Sequence, residues 1–289
     1  MHYYRRLPKF EYLAPKSIDE VSSLLRQYKG EARILAGGTI VLHRMKERIG
    51  VRPYVIGLQA VSGLDAVSYD NKAGLKIGAM VRLQAIADSA DVKKGWPLIS
   101  FVCAQLGTPQ IRNMGTIGGN IACRFTTAET LPALIVLGAD VKMLNAAGEK
   151  IASVEGLYKE MKEGDFVTEV AIPALDPSAK MGYKKYAVRE RFDYATVAAA
   201  VVMTIDGKTC KDIKIGLGGT TLQTMRAKAA EECMKGRTIT EELIEKAVAI
   251  AGDSGTVGSD LMFSADYKKK VLKTMVKRAI KEAAQEVLK

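Results

Sequence analysis

Gly107-Thr108-Pro109-Gln110-Ile111-Arg112-Asn113-Met114-Gly115-Thr116-Ile117-Gly118-Gly119-Asn120 is the stretch that decides how this chain is to be read. Its glycines and Pro109 mark it as largely loop. Glycine lets a backbone amide come close to an anion because no Cβ intervenes. Successive N–H groups in such turns form a concave donor site for phosphate. A second segment of this character lies upstream, where the short strand 33–36 runs into Gly37-Gly38-Thr39. Thr39, Thr116 and Asn120 add side-chain donors. Neither segment is G-x-G-x-x-G or the G-x-x-x-x-G-K pattern of the P-loop. A lone Gly-Gly reads as a tight turn, whereas two such loops, each closed by a polar residue, can clamp a diphosphate with one phosphate each.

Working outward, Ser17-Ile18-Asp19-Glu20 has the form of a capping box, with Glu20 reaching back over the helix start. Ile18, Val21, Leu24 and Leu25 give that helix one apolar face, and Gly30 stops it. Strands are expected at 54–58, 74–79, 141–144 and 166–172, with helices at 96–106 and 131–137 and a turn at 145–148. Ala174-Leu175-Asp176-Pro177-Ser178 is a linker and marks a domain boundary. Beyond it come apolar strands at 183–188 and 195–205. Asp206-Gly207 is a turn signal, with Lys208 to Lys211 lengthening the connection before a third strand at 213–217. Helices at 223–235, 241–251 and 265–288 close the chain. The pattern is α+β in two domains.

Composition bounds the chemistry. With 289 residues, 48% of them hydrophobic, the chain can bury a substantial core. No apolar run approaches the ~20 residues of a membrane span, and no apolar signal core follows the N-terminal Met1 to Arg6, so a cytoplasmic protein is expected. Cys103, Cys123, Cys210 and Cys233 form no C-x-x-C pair, and the histidines are His2 and His43 alone. A self-contained zinc or iron–sulfur site is therefore not expected, and no metal ligand is assigned. The net charge of +11 is concentrated in the last helix, at Lys268, Lys269, Lys270, Lys273, Lys277, Arg278 and Lys281. These residues alternate with an apolar stripe, as on a solvated amphipathic face. Few aromatics interleave them, so nucleic acid is not the expected partner.

A family resemblance rests on three segments. Ile34-Leu35-Ala36-Gly37-Gly38-Thr39, with Met45-Lys46 beyond, resembles the first flavin motif of the molybdenum hydroxylase FAD subunits. The stretch 107–120 resembles their second motif almost residue for residue. Lys185-Tyr186-Ala187-Val188-Arg189, followed by Phe192-Asp193-Tyr194-Ala195, is similar to a third. The likeness spans essentially the whole chain. The family includes the FAD subunits of xanthine, carbon monoxide and nicotinate dehydrogenases.

The resemblance implies a PCMH-type FAD-binding domain of two α/β subdomains at 1–175. A C-terminal domain, a three-stranded antiparallel sheet with three helices, is implied at 176–289. It implies non-covalent FAD and no catalytic acid–base residue in this chain. Leu35, Ala36, Gly37, Gly38, Thr39 and Ile40 would wrap the diphosphate from one side, and Thr116, Ile117, Gly118, Gly119 and Asn120 from the other. Gly107 would lie against the flavin nucleotide. Glu129 stands where the family has an aspartate that accepts hydrogen bonds from the cofactor. Val167 matches an apolar contact, Lys185 a cation near the ring, and Cys123 falls close to the cofactor. The implied partners are an iron–sulfur subunit with two clusters of the 2Fe–2S type and a large molybdopterin subunit. NAD+ or another soluble carrier would be the electron acceptor. A stand-alone FAD-dependent oxidoreductase of the same superfamily is the alternative. Ile40 and Glu129 depart from the family pattern.

Outside these motifs the residues read plainly. Trp96 is a core or helix-entry residue, His43 a helix-surface one, and Arg112 a loop anchor. The run 216–221 is a turn, and Arg189 with Asp193 forms an ion pair.

Overall fold

The computed structural model describes residues 6–145, 147–189, 192–220 and 222–288. Of the N-terminal residues read for a signal, Met1 to Arg5, including His2, lie outside the described residues, as do Ala146 of the expected turn and Thr221 of the run 216–221. The N-terminal subdomain contains β1 (Glu11–Leu13), α1 (Ile18–Gln27), β2 (Ala32–Leu35), α2 (Val41–Lys46) and β3 (Tyr54–Gly57). Its strands form a parallel sheet in the order β1-β3-β2. At the start of α1 the Ser17 hydroxyl accepts from the Glu20 amide, and the Glu20 carboxylate takes the amide of Lys16, one residue before the cap. Val21 and Leu25 bury their side chains against Ile56, Leu58 and Leu64.

The second subdomain begins with β4 (Val67–Asp70) and β5 (Gly74–Gly78). Then follow α3 (Leu83–Asp88), α4 (Ala90–Gly95), α5 (Pro97–Gln105), α6 (Pro109–Met114), α7 (Ile117–Ala122) and α8 (Thr130–Val136). It ends with β6 (Asp140–Asn145), β7 (Gly148–Ser153), α9 (Leu157–Glu160) and β8 (Phe166–Ile172). The strands make an antiparallel sheet, β4-β5-β8-β6-β7. Phe166 of β8 packs into the core of the first subdomain. A fully buried side chain of this size contributes about 1.5–3 kcal/mol, so it ties the two subdomains together. Trp96 is buried at the entry to α5, and its indole N–H donates to the Pro173 carbonyl at 3.0 Å.

The C-terminal part holds β9 (Lys180–Tyr186), β10 (Val197–Asp206), β11 (Thr209–Gly218), β12 (Met225–Arg226), α10 (Lys228–Met234), β13 (Arg237–Thr238), α11 (Glu241–Gly252) and α12 (Ala265–Ala283). Three long antiparallel strands carry two short edge pieces, with the three helices packed on one face. The apolar run in β10 has a simple cause. Ala198 and Ala200 face the core of the second subdomain, while Val197, Ala199, Val201 and Met203 face the helices of the C-terminal part. A strand buried on both faces has no polar alternation.

Several expectations are corrected. Residues 107–120 are not mainly loop, because Thr108 and Thr116 cap the short helices α6 and α7. Lys208 to Lys211 do not lengthen the β10–β11 connection. Asp206 pairs with Thr209, and a bulge between Thr204 and Ile205 absorbs the register. The helix expected from 223 starts only at Lys228, because Met225 and Arg226 first pair with Leu217 and Gly216.

Gly216 and Gly218 belong largely to β11 rather than to a turn. A Cβ on Gly216 would come within 2.5 Å of the Pro132 carbonyl oxygen of α8. The sheet therefore approaches α8 more closely than any side chain permits. The lysines of α12 point mostly at acids: Lys281 meets Glu241 at 2.7 Å, Lys277 meets Glu245, and Lys268 meets Asp260 at 2.6 Å. Among the described residues, no helix is long and apolar enough to cross a membrane.

Gly216→Ala is expected to destabilise the protein by about 1–3 kcal/mol, the cost of overpacking a fitted contact. Urea unfolding measures it. An unchanged midpoint would show that α8 and β11 have slack the glycine does not imply.

Candidate functional site

The first glycine segment follows directly from β2. Leu35 is buried at the strand end, and the chain then turns through Ala36 to Ile40 into α2. The two glycines serve different ends. Gly38 takes φ +75°, which suits a residue without Cβ. Gly37 lies so close to the second segment that a Cβ would sit 2.0 Å from the Met114 carbonyl oxygen and 3.0 Å from the Gly115 Cα. Gln59 donates to the Ala36 carbonyl at 2.7 Å, and the Tyr12 hydroxyl donates to Gln59 at 2.9 Å. This buttress from β1 has no signature in the sequence. Among the described residues, the amides of Gly37, Gly38, Thr39 and Ile40 find no protein acceptor.

The second segment is built differently. Ile117 and Gly118 donate their amides to the carbonyls of Val81 and Ala79 at 3.0 and 2.9 Å, and Gly119 donates to the Thr116 hydroxyl at 3.1 Å. Those amides are therefore spent inside the fold and do not form the donor nest expected from glycine content. Gly118 is there because a Cβ would meet Ala79 at 2.5 Å. The segment instead offers side-chain atoms. The fully buried Thr130 donates to Asn120 Oδ1 at 2.5 Å, which leaves the Asn120 amide nitrogen for the space beyond. Arg112 holds the Gly107 turn, donating to the Leu106 and Gly107 carbonyls at 3.3 and 2.8 Å and to Gln84 at 2.7 Å.

Both segments line one cleft of about 710 Å³. Ala36 to Ile40, Gly107, Thr116, Gly118, Gly119, Asn120, Cys123, Glu129 and Val167 reach its wall. Leu35, Ile117 and Lys185 stand behind it. Sequence reasoning missed Arg33, Arg44 and Arg52 on the same wall. Arg33 lies in β2, Arg44 in α2 and Arg52 in the loop before β3, and no motif links them.

Lys185 is buried, and it donates to the Gln105 carbonyl at 3.0 Å, to Glu129 Oε1 at 3.0 Å and to the Asp193 carbonyl at 3.3 Å. It thus joins the chain before Gly107, the acid on the cleft wall and the segment after β9. Burial outweighs the Lys185 charge and holds the Glu129 carboxyl above its ordinary value. Burial also raises the Cys123 thiol, whose Sγ donates to the Asn120 carbonyl at 2.9 Å. Arg189 and Asp193 pair through two hydrogen bonds of 3.2 Å at the cleft, beside the exposed Phe192 and Tyr194. His43 is exposed and lies 3.6 Å from Glu47.

The family model for the FAD binding domain in molybdopterin dehydrogenase matches residues 8–175, and that for the CO dehydrogenase flavoprotein C-terminal domain matches residues 182–283. The carbon monoxide dehydrogenase medium chain of Afipia carboxidovorans is 31% identical over 95% of this chain and 96% of its own. The glyceraldehyde dehydrogenase medium chain of Sulfolobus acidocaldarius is 28% identical over 96% and 99%. A solved structure of carbon monoxide dehydrogenase from Hydrogenophaga pseudoflava superposes with a TM-score of 0.93 at 30% identity, covering 97% of this chain and 99% of the other.

Lys185→Met is expected to cost about 3–5 kcal/mol, because it strands a buried carboxylate. The loss has a pH signature. A carboxyl raised above 4.5 in the fold loses stability as pH rises from 4.5 through the raised value, and removing Lys185 raises it further. The variant should therefore lose more at pH 7 than at pH 5, and Lys185→Met with Glu129→Gln should lose the same at both. Equal losses for the single variant at the two pH values would mean that the ion pair is not what the lysine supplies.

Proposed function

The chain belongs to the family of FAD-binding subunits of the molybdenum hydroxylases, and on that footing we propose that it carries electrons between partner subunits and a soluble acceptor. Electrons would enter from two 2Fe–2S clusters of a small partner subunit and leave to NAD+ or another carrier. Substrate would be oxidised at the molybdopterin of a large partner subunit. The observation that carries this reading is the contact between the two glycine segments on one cleft wall, with the amides of Gly37 to Ile40 open. The matches ending at 175 and 283 support a division into a FAD-binding domain, 1–175, and a C-terminal domain, 176–289. The four cysteines are free thiols, as suits the reducing cytoplasm in which we place the protein.

The residues present fit FAD. The cleft volume lies in the range of cofactor sites, and its donor set suits an anion: open amides on one segment and an oriented carboxamide on the other. FAD, when bound, supplies the exchange of single electrons and electron pairs. The protein's part is to bind and orient it. Amides 37–40 and Asn120 would hold the diphosphate, and Gly107 would keep the wall free of a side chain. Glu129 has one oxygen committed to Lys185 and presents the other as an acceptor for a cofactor N–H or O–H. Val167 and Phe166 supply apolar wall that excludes water.

The native protein should purify yellow, in a complex containing iron and molybdenum, and should release its FAD on acid denaturation. A colourless chain that takes up no FAD, alone or with its co-purifying subunits, defeats the proposal. Gly37→Ala should weaken FAD binding roughly a hundredfold, the equivalent of losing two charge-assisted hydrogen bonds. An affinity within twofold of wild type would detach the glycine contact from cofactor binding.

A further inference from the structure

The inner side of the second segment leaves an electrostatic gap. A diphosphate brings two negative charges, yet the amides of Ile117, Gly118 and Gly119 are committed to Val81, Ala79 and Thr116. A compensating cation should then come from a side chain on the cleft wall. Arg33, Arg44, Arg52, Arg124, Lys162 and Arg189 line it. Of these, Arg33 donates to the Gly50 carbonyl at 3.1 Å, Arg52 pairs with Glu163 at 3.1 Å, and Arg124 donates to the Met161 carbonyl at 3.1 Å. Lys162 donates to the Lys159 carbonyl at 2.5 Å, and Arg189 is held by Asp193.

Arg44 differs. Among the described residues its guanidinium makes no hydrogen bond or ion pair, and its one specific contact is the Phe125 ring, 5.8 Å from Cζ to centroid. Its position is also particular. Arg44 sits on α2, the helix that the first segment leads into, while Phe125 follows α7, the helix of the second. A helical side chain leans toward the N-terminus of its helix, which here is the open 37–40 turn. The guanidinium therefore spans the gap between the two walls, stacked on one and rooted in the other. It is also crowded by like charge. Burial first, and then the nearby Arg44 and Arg52, push Arg33 below its ordinary value. An anion between them would relieve that repulsion.

We propose that Arg44 is the diphosphate-binding cation of this cleft, held in reserve by Phe125 and moving onto the phosphates when they enter. The inference rests on the FAD reading, and its test separates the two. The full chain, as it purifies and stripped of flavin, is titrated with ADP and with adenosine in competition with FAD. Arg44→Met should weaken ADP roughly tenfold, as loss of one charge-assisted contact does, and leave adenosine unchanged, while Arg44→Lys recovers part of the ADP affinity. The dependence of ADP binding on salt should fall in Arg44→Met. Unaltered ADP affinity, or an equal loss for ADP and adenosine, overturns the role of Arg44. Failure of the wild-type chain to bind ADP at all overturns the FAD reading instead. Should Arg44→Met not fold, phenylglyoxal labelling of the wild type decides. ADP must protect Arg44 from modification and adenosine must not, and protection by neither or by both overturns the proposal.

Discussion

Backbone contact between Gly37 and the Met114–Gly115 peptide is the constraint on which the rest depends. No Cβ can stand between them, so the end of β2 and the α6–α7 junction are pressed together into one wall. Everything that faces the cleft is arranged around that seam. Gln59 and Tyr12 brace the first segment from β1, Arg112 braces the Gly107 turn, and Phe166 locks the two subdomains so that neither segment drifts from the other. The geometry of the cleft is thus a property of packing.

Much of this was legible in the sequence, for identifiable reasons. The span of β8 is the 166–172 expected from its apolar pattern and the following Pro173. The capping box at Ser17 and the α+β pattern were readable because they are local. The Thr108 and Thr116 caps of α6 and α7 are local as well, but the glycines around them mask the helices. What was not readable came from long-range demands, since only the carbonyls of Val81 and Ala79 explain why the amides of Ile117 and Gly118 are not free. Gly216 looked like a turn residue because glycine is ambiguous until the neighbour is known, and the neighbour is Pro132 of α8. The arginines on the cleft wall carry no motif, since three unrelated elements deliver them.

The two glycine segments, alike in composition, are complementary in function. One exposes its amides; the other uses its amides to hold α7 against the β5–α3 connection and offers the side chain of Asn120, aimed by the buried Thr130. Glycine content alone cannot separate these cases. A glycine required by positive φ, such as Gly38, and one required by a close approach, such as Gly118, look identical in a sequence and do different things.

The charge of the chain divides in the same way. In the C-terminal helix, lysines meet the acids of α11 and the preceding loop, and exposed pairs of that kind contribute little each. Inside, one cation does far more. Lys185 is buried with all three of its protons placed, and each acceptor belongs to a different element around the cleft. Because β9 also belongs to the sheet whose strand β10 faces both cores, Lys185 carries the position of the C-terminal part into the wall that holds Glu129. A rearrangement of that sheet could not leave the acid where it is. The C-terminal part is therefore mechanically continuous with the cleft, and its role is to fix the electrostatics of a site that it does not itself line at Lys185.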